Sequence, residues 1–351
     1  MKKYLLFLIT ALCFNTAYCQ VLYTENFDNH SVGNLGTDPT GTIPGQWGWS
    51  TYLHNTLTNG YCTIINEAGR GRVLDISTGL TSADLILAFK TNLSSFMNNR
   101  IQGNNVIKFE IDYFTGPKGI GGTNTNYGSI TLRGVGSFLT TTTAPHLASV
   151  VFLKENGVLN SVPLGLNPSQ GWEVIPFNTW IKFVFYLDYS NRKIYFEIPY
   201  FNKVYVDDFL KNESSTNLIQ DFFPNTILLQ VHVHSSVNEP QQYTRNRYDN
   251  IKITAINAVP PEIVTLSNNE QFATKFSMYP NPSANVVNIS NSENILVKQI
   301  MVYDVTGKLV STQTFNNETE VQLNVENLAS GTYLMHLQTN KGLAVKKLIK
   351  K

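Results

Sequence analysis

Between Val106 and Ile256 the chain breaks into short runs rich in β-branched and aromatic residues. They cover residues 106–114, 129–133, 150–154, 180–189, 194–198, 226–234 and 250–256, with clusters of Gly, Asn, Pro and Ser between them. Runs of this length and content are strands. No alternating helices separate them, and the one helical candidate lies over residues 82–96. Strands joined by turns rather than by helical crossovers pair antiparallel, so the expected fold is an all-β sandwich. Asn156-Gly157 suits a tight hairpin, because both turn residues tolerate positive φ. Residues 188–193 read as a second hairpin turn.

Covalent staples do not hold this sandwich. Lys2 and Lys3 precede an apolar run over residues 4–14, and small residues follow around Ala17. That is the form of a secretory signal peptide, here residues 1–19, with cleavage before Gln20 or Val21. The apolar run falls short of the about 20 residues that cross a bilayer. A lipoprotein site at Cys19 is disfavoured by the bulky Tyr18. With Cys13 and Cys19 in the signal, Cys62 is the one thiol of the mature chain, and the core has to stabilise the fold unaided. Cys62 sits in a strand-like run, residues 61–65, as a small buried hydrophobe.

The 351 residues carry a formal net charge of +1 and 15% charged side chains. The usual charged share is about 25%. No basic block occurs, which argues against a nucleic-acid or membrane-surface partner. Polar uncharged loops suit an extracellular β-protein. Residues 257–272 contain Pro260-Pro261 and then a polar stretch, a linker composition that is stiff at first and flexible afterwards. A boundary placed there gives a first domain over residues 21–256 and a second over 273–351.

The second domain carries four motifs in order. They are Tyr279-Pro280-Asn281-Pro282, the turn Tyr303-Asp304-Val305-Thr306-Gly307-Lys308, the turn Leu328-Ala329-Ser330-Gly331-Thr332-Tyr333, and the basic end Val345-Lys346-Lys347-Leu348-Ile349-Lys350-Lys351. Proline fixes the backbone of the first. Asp304 and Gly307 bracket a turn between two alternating runs. Together they resemble the type A C-terminal sorting domain of the type IX secretion system of Bacteroidetes. The resemblance implies a small immunoglobulin-like sandwich, recognition by the type IX translocon and sorting machinery, and a secreted or cell-surface location. It is silent on the first domain.

The first domain resembles concanavalin A-like, laminin-G-type jelly rolls. Its opening Tyr23-Thr24-Glu25-Asn26-Phe27-Asp28, the segment Pro44-Gly45-Gln46-Trp47-Gly48-Trp49 and its closing Arg247-Tyr248-Asp249-Asn250-Ile251-Lys252-Ile253 carry the likeness. Alternation puts Phe109, Ile111 and Tyr113 on one strand face and Glu110 and Asp112 on the other. It likewise separates Gln230, His232 and His234 from Leu229, Val231 and Val233. If these strands are neighbours, Glu110, Asp112, Arg133, Gln230, His232 and His234 line one groove. Trp47 and Trp49 are candidates for stacking on sugar rings, and Trp180 is the candidate plug at the end of the sandwich.

Glu110-Ile111-Asp112 also resembles the catalytic strand of laminarinase-type glycoside hydrolases, which work with two carboxylates. The second carboxylate position holds Phe114 or Thr115, so that machinery is incomplete. The first domain therefore reads as a binder of glycan or another extracellular polymer. A polysaccharide hydrolase or lyase using Glu110, Asp112 and His232 is the alternative, and a surface adhesion or structural protein the third reading. Glu25, Asp28 and Asp249 are candidate ligands of a structural calcium.

Overall fold

The computed structural model describes residues 19–54, 58–77, 84–118, 127–134, 146–154, 157–160, 173–209, 223–233 and 245–351. The first domain is an antiparallel two-sheet sandwich. One sheet has nine strands, in the order Lys203–Asp208, Lys193–Ile198, Trp180–Asp188, Val106–Phe114, Arg245–Ile256, Gly71–Ser77, Cys62–Glu67 and Gly33–Asn34, with Gln20–Glu25 as the ninth. The other has six: Leu159–Asn160, His146–Leu153, Tyr127–Arg133, Thr226–Val233, Asp84–Lys90 and Trp49–Leu53.

Pleating decides which side chains meet between the sheets. Phe109, Ile111 and Tyr113 from the nine-stranded sheet share one buried cluster with Ile130, Leu132, Leu229 and Val231 from the six-stranded sheet. Aromatic rings fill its centre, with Tyr113 and Phe183 stacked at 5.9 Å and Phe185 and Phe196 at 4.7 Å. Cys62 is buried in the same cluster, and desolvation raises its thiol pKa.

Strand Arg245–Ile256 organises one side of the nine-stranded sheet. Its first half pairs with Gly71–Ser77 and its second half with Gln20–Glu25, so two strands share a single edge end to end. The changeover is a bulge between Asp249 and Lys252, where Asn250 takes φ 51°. Bulges bend a strand and re-aim its side chains, and this one opens the sheet surface beside Glu110.

Two expectations are corrected. The helical candidate over residues 82–96 is mainly strand Asp84–Lys90, followed by a short helix, Ser94–Asn98. Its apolar run lies between two strands and pairs with both, Thr226–Val233 on one side and Trp49–Leu53 on the other. Ladder bonds on both edges override the weak helical pattern. Residues 257–272, expected to be a linker stiff at first and flexible afterwards, instead hold most of helix Pro261–Thr274. Pro261 opens it where a missing N–H costs nothing. Val259 and Ile263 are buried against Val106, Val184, Tyr186, Tyr195 and Val204 on the outer face of the nine-stranded sheet. Burial of that apolar edge, not local propensity, holds the segment helical.

The C-terminal segment is a seven-stranded sandwich. Phe276–Tyr279, Val286–Asn291 and Glu320–Asn324 form one sheet; Leu309–Glu318, Val297–Tyr303, Gly331–Thr339 and Leu343–Lys350 form the other. Its own core contains Val287, Ile289, Ile300, Val302, Leu323, Met335, Leu337 and Leu348. The turn at Asp304–Lys308 forms as expected: Gly307 has φ 83°, and the Asp304 carboxylate accepts the amides of Thr306 and Lys308 at 2.9 and 3.0 Å. Gly331 opens the strand Gly331–Thr339, paired with Lys350.

Candidate functional site

The outer face of the nine-stranded sheet carries a groove of about 560 Å³ at the bulge. Glu25, Asn26, Asn29, Glu110, Lys182, Asn250 and Lys252 line it. Glu110 and Lys252 are cross-strand partners, and Lys182 pairs with Asp112 one position along. The groove thus mixes amides with both signs of charge. Glu110 is held by Lys108 at 3.0 Å.

A charged lattice continues from the groove across the sheet. Arg70, in the turn before strand Gly71–Ser77, donates to Asp112 at 2.5 Å and to Asp249 at 3.0 Å, and its guanidinium lies 3.9 Å over the Trp180 ring. Lys182 reaches Asp112 at 3.5 Å, and Asn250 donates to it at 3.0 Å. Burial pushes the Asp249 carboxyl above its ordinary pKa, with Arg70 opposing the shift. Farther along, Arg247 pairs with Glu67 and with Asp75, and Arg245 with Asp75 at 2.5 Å. Gly71 lets the turn close, because a Cβ there would meet the Asp28 carboxylate at 2.3 Å.

Trp47, 64% exposed, does not line the groove itself but is tied to it, its indole N–H donating to the carbonyl of the lining residue Asn29 at 3.1 Å. Beneath it lies His30, at 6.2 Å between ring centroids. His30 is buried, and that burial favours its neutral form. Trp49 behaves differently from its neighbour. It is fully buried against Phe27, with its N–H donated to Glu25 at 3.2 Å. The expectation that both tryptophans serve a ligand is therefore corrected. Trp49 is the core plug, and Trp180, expected in that role, stands on the outer face under Arg70.

The single groove expected from the two strand patterns does not form. Phe109, Ile111 and Tyr113 point into the core from one sheet, and Leu229 and Val231 from the other. Glu110 and Asp112 consequently face outward on the nine-stranded sheet, and Gln230 and His232 on the six-stranded sheet, at opposite surfaces of the sandwich. His234 lies outside the described residues. Gln230 donates to the Tyr127 hydroxyl at 3.0 Å, and the Tyr127 and His232 rings are 5.0 Å apart. Arg133 follows six residues after Tyr127 on its strand, about 20 Å away. It is buried, which lowers its pKa. Phe114 packs on Trp180 at 5.5 Å, and the buried Thr115 donates to the Pro176 carbonyl. Neither supplies the second carboxylate of a retaining hydrolase.

The calcium expectation is corrected too. Glu25 accepts the Phe27 amide and the Trp49 indole, Asp28 accepts the Arg72 amide at 2.9 Å, and Asp249 is held by Arg70. Among the described residues no group of three or more His, Cys, Asp or Glu side chains is placed to hold a metal ion.

Sequence reasoning missed Arg70, Lys182, Asn250 and Lys252. Asp249-Asn250 was the available signal, since Asn tolerates positive φ and marks a bulge inside a strand.

Residues 277–351 match the family described as "Secretion system C-terminal sorting domain". This segment is a type IX secretion sorting domain. The protein is accordingly exported to the cell surface or secreted, and its sorting domain engages the type IX machinery. No curated protein matches the chain. Among solved structures, the chain is similar to a sialidase at 10% identity and a TM-score of 0.40, over 67% of this chain and 18% of that one. It therefore spans under a fifth of that sialidase. A GH131 β-glucanase catalytic domain from Podospora anserina aligns at 9% identity and a TM-score of 0.39, covering 66% and 95% of the two chains. An endo-1,3-beta-glucanase from Streptomyces sioyaensis aligns at 10% identity and 0.36, covering 68% and 97%.

Proposed function

We propose that the exported jelly roll binds an extracellular glycan, without catalysis, in the groove beside the Asn250 bulge. The observation that carries this is the exposed Trp47 ring, hydrogen-bonded to Asn29 of a surface lined also by Asn26, Asn250, Glu110, Lys182 and Lys252. An aromatic face offers an apolar platform to a sugar ring, while amides and paired charges match its hydroxyls in both donor and acceptor roles. Glu110 and Asp112 are already engaged by Lys108, Arg70 and Lys182, which suits hydrogen bonding better than proton transfer.

Retention of the full chain on a panel of insoluble and immobilised polysaccharides is the test. Trp47→Ala should weaken retention about tenfold, the equivalent of ~1.4 kcal/mol. Thermal stability should stay within a few degrees of the parent. No retention on any polysaccharide would overturn the reading.

A second reading has its own observation. The Tyr127 and His232 rings meet in a tilted contact on the six-stranded sheet, 5.0 Å apart, with Gln230 donating to the Tyr127 hydroxyl. A phenol able to give a proton beside an imidazole able to take one fits a polysaccharide lyase or hydrolase. Incubation with the same polymers would then release reducing ends or unsaturated products. His232→Ala should cut that rate by at least about a hundredfold. Absence of product with the parent chain removes this reading and leaves the binding proposal standing.

A further inference from the structure

The first and last motifs of the sorting domain lie more than sixty residues apart in sequence, yet they are in direct contact. Strand Leu343–Lys350 is the edge of its sheet, paired on one side with Gly331–Thr339. An edge strand leaves a row of backbone donors and acceptors open. Here three of them, and the amide of Lys351 just past the strand, are taken. The Asn281 carboxamide donates to the Lys347 carbonyl at 3.0 Å and accepts the Ile349 amide at 2.8 Å. The Ser283 amide donates to the Ile349 carbonyl at 2.9 Å, and the Lys351 amide donates to the Ser283 carbonyl at 2.9 Å. Ser283 is buried and anchors its own hydroxyl on the Val286 carbonyl at 2.6 Å.

The carboxamide of Asn281 does what a peptide group of a neighbouring strand would do. It presents one donor and one acceptor at the spacing of a backbone ladder. Other side chains fail for definite reasons. Asp could accept from Ile349 but would set a negative charge against the Lys347 carbonyl. Ala would leave both groups to water.

We infer that Asn281 is a positioning residue of the sorting signal: it clamps the first motif onto the edge strand at residues 347–349, so that the start and the basic end of the tag are presented to the secretion machinery as one surface. Lys347 and Lys350 already lie in the strand paired with Gly331–Thr339, and the clamp together with Ser283 holds that strand from its other side as far as Lys351. The inference concerns the sorting domain alone and is independent of the glycan reading.

Hydrogen exchange on the full chain, followed by mass spectrometry of the peptide ending at Lys351, tests the first half. In Asn281→Ala the Ile349 and Lys351 amides of that peptide, and in Asn281→Asp the Lys351 amide, should exchange about tenfold faster, with the remaining peptides of the sorting domain unchanged. Unchanged peptides elsewhere separate local release from general unfolding. Expression of the same full-length variants in a bacterium with a type IX system tests the second half. The surface or medium fraction should fall several-fold, with the protein retained in the periplasm. Exchange that stays at the parent rate overturns the pin. Faster exchange with full export overturns its role in sorting.

Discussion

Trp49→Ala should cost about 3–5 kcal/mol of unfolding free energy, the largest single effect expected in the jelly roll. Its ring is fully buried against Phe27 at 5.7 Å, at the end of the sandwich where strand Trp49–Leu53 begins. Removing it opens a cavity that the surrounding Leu35 and Phe27, themselves fully buried, cannot collapse into without leaving their own packing. Its indole N–H also satisfies Glu25, whose other oxygen holds the Phe27 amide, so the deletion loosens the first strand as well. Denaturant unfolding followed by fluorescence is the measurement. A loss below about 1 kcal/mol would mean that Trp49 is not the plug the packing makes it. The contrast with Trp47→Ala, two residues away and nearly silent in stability, is itself diagnostic.

The second large effect is expected at Asp75. Its buried carboxylate takes Arg245 at 2.5 Å and Arg247 at 3.1 Å. Both arginines belong to the strand that shares its edge with two others. Asp75→Ala removes the carboxylate that both largely buried guanidinium groups share, with Glu67 remaining on Arg247. Breaking a buried ion pair by removing one partner costs about 3–5 kcal/mol; the partial exposure of these arginines lowers the expectation to about 2–3 kcal/mol. Replacing all three residues by apolar ones of similar size should recover most of the loss, since the charges themselves add little net stability. Equilibrium unfolding of the single and triple variants decides the point.

Strand existence was legible because alternation is a local property. Val106–Phe114 shows Phe109, Ile111 and Tyr113 to the core and Glu110 and Asp112 away from it, as period two requires. Which sheet a strand joins is not local. Val106–Phe114 pairs with Trp180–Asp188 and Arg245–Ile256, whereas Thr226–Val233 pairs with Tyr127–Arg133 and Asp84–Lys90. No feature of either segment names those partners, so the two polar faces could not be assigned to opposite surfaces from the sequence.

The tryptophans failed for a different reason. Spacing of two would put Trp47 and Trp49 on one side of a strand, but Trp47 takes φ 51° and Gly48 φ 74°. The turn rotates the first ring out to solvent and drives the second inward. The sorting motifs were the most legible feature, because each turn or clamp they form is made by residues inside the motifs.

Helix Pro261–Thr274 has a practical corollary. It lies on the nine-stranded sheet through Val259 and Ile263, and its last turn, through Ala273, joins the core of the sorting domain. A recombinant fragment ending at Ile256 would lay Val184, Tyr186, Tyr195 and Val204 open to water beside the very surface assigned to the glycan. Such a fragment would be sticky for reasons unrelated to sugar, and affinity experiments on the isolated jelly roll need a chain that runs through residue 274.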